Sequence, residues 1–285
     1  DVISSDNVSY GYSSTSFTDK NVGTNKVVSV SNVSLSGGDA SNYQLQNRVA
    51  NTTANITARA IDLTGSRTYD GTTHIASAAM TMNNLVAGET LNLSGAGTVA
   101  SANVAAGNQS LNLGTLAVSD GNALASNYDL STGTHTASIT AKSVTIAAPQ
   151  ATRVYDGSVV YTANSTELAA LSAQLGIAGE TVSAITLNYD NKNAGTGKTL
   201  VASDLAVRNA NNDLGTANYN ITYTDNTVSV ITAKAVTLPA PQATRAYDGT
   251  TQYSVNATQL SALTAALGVA GDSVSSITLT YDNKN

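Results

Sequence analysis

The chain has 285 residues, a formal net charge of −6 and charged side chains at only 11% of positions, against the quarter or so usual for soluble domains. No lysine or arginine cluster stands ready to neutralise a phosphate backbone, which argues against nucleic acid as a partner. Cysteine is absent and no run of 18 apolar residues occurs, so a disulfide scaffold, thiol chemistry and a membrane-spanning helix are excluded.

Taken in chain order, the first signals are turns and alternating runs. Thr18-Asp19-Lys20-Asn21-Val22-Gly23-Thr24 is rich in turn formers, and Lys26 to Val33 places apolar residues at every second position, the period of a half-buried strand. Ser36-Gly37-Gly38-Asp39 is a further turn, followed by Asn42-Tyr43 and the triplet Ile56-Thr57-Ala58. Thr68-Tyr69-Asp70-Gly71 then combines a glycine suited to positive φ with an aspartate able to bond the backbone two residues on, which predicts a tight hairpin turn. The Tyr69 ring is expected in the core, and Arg67, two residues earlier, is placed to pair with Asp70.

The same landmarks return downstream. Asn127-Tyr128 and Ile139-Thr140-Ala141 lead into Lys142–Ile146, which reads as one continuous extended run, and Pro149-Gln150 follows as a stiff edge element. Arg153, Tyr155, Asp156 and Gly157 repeat the turn signature. Thr166 to Gly176 breaks the β pattern with leucines at 168, 171 and 175, predicting a short helix capped by Ser165 or Thr166 and ended by Gly176. Ser183–Tyr189 alternates again, Asp190–Gly195 is a second Asn- and Lys-containing turn, and Asn218-Tyr219 precedes another alternating run. Ile231–Leu238 repeats the extended junction, Arg245, Tyr247, Asp248 and Gly249 give the signature a third time, and Thr258–Gly268 a second helix.

The three signature tyrosines are about 86 and 92 residues apart, and Tyr43, Tyr128 and Tyr219 recur with nearly the same spacing. A period this long suits small domains that close their own cores rather than solenoid turns. The landmarks divide the chain into the second half of a unit (1–58), two complete units (59–141 and 142–233) and the first half of another (234–285). The expected fold is mainly β: tandem small domains of β-grasp or sandwich type, stiffly joined into an elongated rod, with a helix in the later repeats as an optional lid. The repeat at 59–141 has Met82–Gly88 where the others carry the helix. The chain is expected to be a window on a longer polypeptide.

The signature Arg67-Thr68-Tyr69-Asp70-Gly71-Thr72-Thr73, with Gly88-Glu89, Asp19–Gly23 and Gly38–Tyr43, resembles the YDG-type repeats of large bacterial surface adhesins related to filamentous haemagglutinin. The resemblance covers essentially the whole chain and implies β domains with a stalk role in an exported protein, to which a cysteine-free array is well suited. It departs from the pattern at Asn103–Gly107, where the lysine-containing turn belongs.

Other chemistries find less in the sequence. The turns at 19–23 and 190–195 invite a calcium reading, but they lack the alternating ligand spacing of a calcium loop and carry lysines. His74 and His135 share one repeat and do not recur; exposed strand histidines account for both. No nucleophile–base motif is present, so no catalytic residue, metal ligand or cofactor is expected. Isopeptide crosslinking throughout the array is excluded because 59–141 contains no lysine. The expected partners are neighbouring repeats of the same chain, a second copy associating head to tail, and a host or matrix glycan or protein. The weaker alternative to a stalk is a module whose copies bind such a ligand multivalently.

Overall fold

The computed structural model describes residues 2–282 and divides into two compact units, one ending at Thr140 and the other beginning at Ala141. Both are built from short strands, and two α-helices occur among the described residues.

In the first unit, Gly23–Ser31 pairs antiparallel with Ser14–Phe17 on one side and Val49–Ile56 on the other. The repeat that follows is organised around Asp62–Thr68. This strand lies parallel to the repeat's last strand, His135–Thr140, in a four-stranded sheet edged by Asn108–Ser110 and Met80–Asn83. Just upstream, Arg59–Ala60 lies parallel to Tyr128–Asp129. Ile61, Leu63, Ile75, Ala137 and Ile139 fill the interior, each nearly inaccessible to solvent. At roughly 1.5–3 kcal/mol per fully buried aliphatic side chain, this small core is the main stabilising term of a repeat without disulfides.

The second unit repeats the plan. Thr152–Val154 lies parallel to the last strand, Asn226–Thr232, and the sheet continues through Gly195–Arg208 and Thr181–Tyr189 to Val160–Tyr161. Lys142–Ala147 pairs parallel with Tyr219–Thr224. In both complete repeats, therefore, the first strand segments are held against the last ones, and the ends of the repeat close on each other. The mixed sheet differs from the purely antiparallel layers of an immunoglobulin-type sandwich. One core cluster gathers Ala148, Ala151, Leu187, Tyr189, Leu200, Ala202 and Ile231, and Ile146 is buried as well, as are Leu171 and Leu175 of the helix Ser165–Leu175.

Asn164, rather than Ser165 or Thr166, caps that helix. Its side chain accepts from the Glu167 backbone N–H while the Glu167 carboxylate accepts from the Asn164 N–H, a reciprocal capping box. Asn256 and Gln259 do the same for the helix Ala257–Leu267. Asn164 and Asn256 keep extended backbone and stand three residues before Glu167 and Gln259, which is why they outcompete the hydroxyls. Gly176 and Gly268 end the helices at φ of +64° and +59°. Lys142 Nζ donates to the carbonyls of Leu175 and Gly176, and Lys234 Nζ to that of Gly268, a cation at the negative end of each helix.

Where the helix is missing, Met80–Asn83 forms a strand against Asp62–Gly65 instead. Gly65 makes this possible: a Cβ there would lie 2.4 Å from Met80 Sδ and 2.6 Å from the Ala79 carbonyl oxygen. The helical repeats have Ala151 and Ala243 at the same distance before their signature tyrosines.

Two expectations about extended structure need correction. The signature turn is not a hairpin, because Asp62–Thr68 and His74–Ala76 lie in different sheets, and Thr152–Val154 and Val160–Tyr161 lie at opposite edges of one sheet. Ile231–Leu238 is not one continuous strand either. Strand structure stops at Thr232, and none returns before Gln252. In the repeat 142–233 the equivalent first segments pair with strands near the repeat's end. Residues 283–285 lie outside the described residues, as does Asp1.

Gly65→Ala is expected to destabilise the first unit by about 1–3 kcal/mol, since the Ala79 backbone must move to admit the methyl group. Ala151→Gly, which removes a buried core methyl as well as adding chain entropy, is expected to cost about 1–2 kcal/mol without any backbone shift. Thermal unfolding of the two variants decides the comparison.

Candidate docking site between repeats

Each signature turn is built around its arginine. Gly71, Gly157 and Gly249 have φ of +81°, +82° and +71°, and Asp70, Asp156 and Asp248 each accept the backbone N–H two residues on. Arg67, Arg153 and Arg245 lie beneath the turn, paired with the aspartate at 2.5, 2.7 and 2.8 Å. Arg153 also donates to the carbonyls of Ser158 and Val160, and Arg245 to those of Thr250 and Gln252. Their guanidinium planes sit over the rings of Tyr189 and Tyr281 at 5.0 and 5.1 Å. One planar five-donor group thus ties the turn's aspartate to the carbonyls of the chain leaving the turn.

The signature tyrosines do not all share one environment. Tyr69 is buried at 4% exposure and Tyr155 is half-buried against the core, whereas Tyr247 is 79% exposed, contrary to the core position expected of it. The Tyr155 hydroxyl donates to Asp272 Oδ2 at 2.7 Å, in the following repeat.

Asp272 belongs to a loop that occurs four times: Ile3-Ser4-Ser5-Asp6, Val86-Ala87-Gly88-Glu89, Ile177-Ala178-Gly179-Glu180 and Val269-Ala270-Gly271-Asp272. In each, the N–H of the acidic residue bonds the carbonyl of the leading apolar residue. The acid then accepts the hydroxyl of the Asn-Tyr tyrosine of its own repeat: Tyr43 to Asp6 at 2.6 Å, Tyr128 to Glu89 at 2.7 Å and Tyr219 to Glu180 at 2.5 Å. Tyr43 and Tyr128 complete the clamp by accepting the N–H of Ile3 and Val86.

Within each unit the same acid also receives the preceding repeat. Lys20 Nζ reaches Glu89 at 2.5 Å, and Lys192 Nζ reaches Asp272 at 3.3 Å. Asn127, placed by the 3₁₀ turn Ala125–Asn127, accepts the Val22 N–H and donates to Asn21 Oδ1. Val269 seats on the signature turn of the repeat before it: a Cβ on Gly157 would lie 2.7 Å from Val269 Cγ1. The lysine turn and the signature turn of one repeat therefore meet the acid loop and the Asn-Tyr segment of the next.

The lysine turns hold an ammonium in their oxygen-lined interior. Lys26 Nζ bonds Asp19 Oδ1 and the Asn21 carbonyl, and Lys198 Nζ bonds Asn191 Oδ1 beside Asp190. In the lysine-free repeat, Gln109 fills a similar place by exchanging two hydrogen bonds with the Ser101 backbone. Among the described residues no three metal-ligating side chains gather. His74 is exposed on its strand, but His135 is half-buried, with Nε2 on the Leu130 carbonyl at 2.7 Å, and so departs from the exposed position expected of it.

The charges at the seam are mutually adjusted. The Lys20 ammonium and then the Tyr128 hydroxyl hold the Glu89 carboxyl below its ordinary range, and the Tyr155 hydroxyl and Lys192 do so for Asp272. Tyr155 is raised by its bond to Asp272, while Tyr128 is raised first by burial and then by Glu89. Burial and the Glu167 carboxylate push Tyr161, behind the helix cap, up to about 12.

Comparison with known proteins finds one family model, described as YDG domain, matching residues 1–54, 50–137 and 140–227. No curated protein and no solved structure matches the chain.

The seam is expected to weaken in acid. Both carboxyls are depressed in the folded chain, so their contribution is complete above the ordinary carboxylate range of about 4 and is lost as pH falls through the lower folded values. Thermal unfolding followed from neutral pH to pH 2 should show this fall, and Glu89→Gln should flatten it. An unchanged pH profile in Glu89→Gln would remove the acid from the seam.

Proposed function

The chain belongs to the YDG domain family, and from that premise we propose that it is a structural stalk segment of a secreted bacterial surface adhesin. In this reading it lies outside the cell and either extends a binding tip or contributes to biofilm matrix. The observation that carries the reading is the shared carboxylate: Glu89 and Asp272 each take a lysine from the preceding repeat while anchoring a loop of their own. Consecutive repeats joined by side-chain bonds resist swivelling in a way that a Gly/Ser linker does not. The recurring residues are engaged in turns and seams, and the reading assigns none of them to catalysis or to a cofactor. A stiff serial array converts each small domain into added reach, and it yields under load one domain at a time.

The alternative, a multivalent glycan- or protein-binding module, is favoured by Tyr10 and Tyr12 on the first half repeat, which are 78% and 59% exposed and offer aromatic faces for stacking. Binding on a glycan array that is lost with Tyr10→Ala and Tyr12→Ala would support that reading over the stalk.

Single-molecule stretching tests the stalk. The two complete repeats should unfold separately, each releasing roughly 250–300 Å, as expected for chains of this length at about 3.3–3.6 Å per residue. A single rupture of the whole chain would overturn the proposal.

A further inference from the structure

The strand Thr181–Tyr189 has neighbours of unequal length. On one side Gly195–Arg208 runs beside it from Thr181 to Tyr189; on the other, Val160–Tyr161 pairs with Leu187 and Asn188 only. At the far end the helix takes over, the Ser172 hydroxyl accepting the Val182 N–H at 2.7 Å. Among the described residues no strand covers 183–186 between these two contacts. The Tyr189 N–H bonds the Val159 carbonyl, so strand alternation turns the backbone groups of Leu187 and Ile185 to the same side. Those of Ile185 therefore face the opening.

The opening is a groove of about 430 Å³ lined by Tyr161, Leu168 and Ile185, within the size range of small-ligand sites. Its wall is held in place. The Tyr161 hydroxyl donates to Glu167 Oε1 at 2.8 Å, and its ring stands edge-on to Tyr189 with centroids 6.0 Å apart. The groove recurs, at about 280 Å³, beside Tyr253, Leu260 and Ile277, where the Thr264 hydroxyl accepts the Val274 N–H. Among the described residues, neither groove is lined by a charged side chain.

The repeat 59–141 shows which chemistry fills this place. Its counterpart of Val160–Tyr161, the strand His74–Ala76, runs one residue further, with Ala76 opposite Ala96. The Ser77 N–H then bonds the Gly95 carbonyl at 3.0 Å, ahead of the 3₁₀ turn Ser77–Ala79. Gly95 stands two residues before Gly97, which faces Ile75, just as Ile185 stands two before Leu187, which faces Tyr161. An uncharged main chain of small residues thus occupies in one repeat the edge that the helix-bearing repeats leave open.

We propose that the groove of each helix-bearing repeat binds an extended, uncharged segment of small residues from a partner protein, added antiparallel to 183–186. Main-chain hydrogen bonds to Ile185 supply the affinity, and Tyr161 and Leu168 receive the segment's side chains. A charged side chain would enter without a counter-charge, which disfavours it. Two such grooves in one chain add avidity. The proposal extends the protein-binding alternative but shares no residue with the carboxylate seam or with Tyr10 and Tyr12, so its failure leaves the tests of both earlier readings untouched.

Amide NMR of the intact labelled chain, titrated with an end-capped peptide carrying the sequence of residues 76–81, tests it. The expected result is saturable shifts of the signals of 183–186 and 275–278, with those of 91–98 unmoved because that edge is already covered. Ile185→Pro removes the outward N–H while sparing the ladder to Gly195–Arg208, a placement that an edge strand tolerates. Thr162→Trp, at an exposed position lining the groove, narrows it without entering the core. Each variant should lose the response at 183–186 and keep that at 275–278, with unchanged thermal unfolding verifying the fold. The proposal is overturned by the absence of a saturable shift at 183–186, or by a response that survives both variants. Shifts of those signals with chain concentration alone would put a second copy in the groove and overturn it equally.

Discussion

A carboxylate in the apolar–small–small–acid loop carries two obligations at once. Inside its own repeat, Glu89 accepts the Tyr128 hydroxyl and so holds the loop to the Asn-Tyr segment; toward the previous repeat, it accepts Lys20. Asp272 likewise accepts both Tyr155 and Lys192. Each oxygen has a donor, so burying the tyrosine end of the seam strands no polar group, and the charge stays compensated by an ammonium at the more exposed end. The rest of a repeat is arranged to deliver these groups. The arginine beneath the signature turn fixes where the tyrosine leaves the sheet, and the 3₁₀ turn before each Asn-Tyr fixes the asparagine.

The connection between signature turn and acid loop is, by contrast, free to change. In one repeat it is the strand Met80–Asn83, and in two others an eleven-residue helix, yet all three routes end in the same turn. Both solutions are locally self-consistent. The helix has its capping box, its αL glycine and a lysine on its last carbonyls; the strand has Gly65, without which it could not approach. The first strand's basic residue serves either route, Arg59 bonding the Asn84 carbonyl where Lys142 and Lys234 reach helix ends.

What could be read from the sequence followed from local chemistry. The β class, the serial repeats, the helices and the backbone of the Tyr-Asp-Gly turn all rest on periodicity, spacing and glycine, which need no knowledge of distant partners. The parallel pairing of first and last strands was not legible, because alternation records that a strand is half-buried and not what lies beside it. The turn was misread as a hairpin for the same reason. The caps were misassigned by one or two residues, although the Asn-x-x-Glu and Asn-x-x-Gln spacing was present. The acid loop was the larger omission. Its signal was an acid about 37–39 residues before each Asn-Tyr tyrosine, visible in Asp6, Glu89 and Glu180. A single carboxylate carries no motif, and only the hydroxyl that reaches it shows why the spacing is kept.

Which residues the copies retain bears on what the array is for. A binding module multiplied for avidity would be expected to keep an outward patch, since that is where a ligand is met. Here the elements common to the copies are the arginine under the turn, the glycine at positive φ, the tyrosines and the acid, and most of these are spent on turns or on the contact with the adjoining repeat. Repetition has therefore kept the residues that build the turns and the contact with the adjoining repeat.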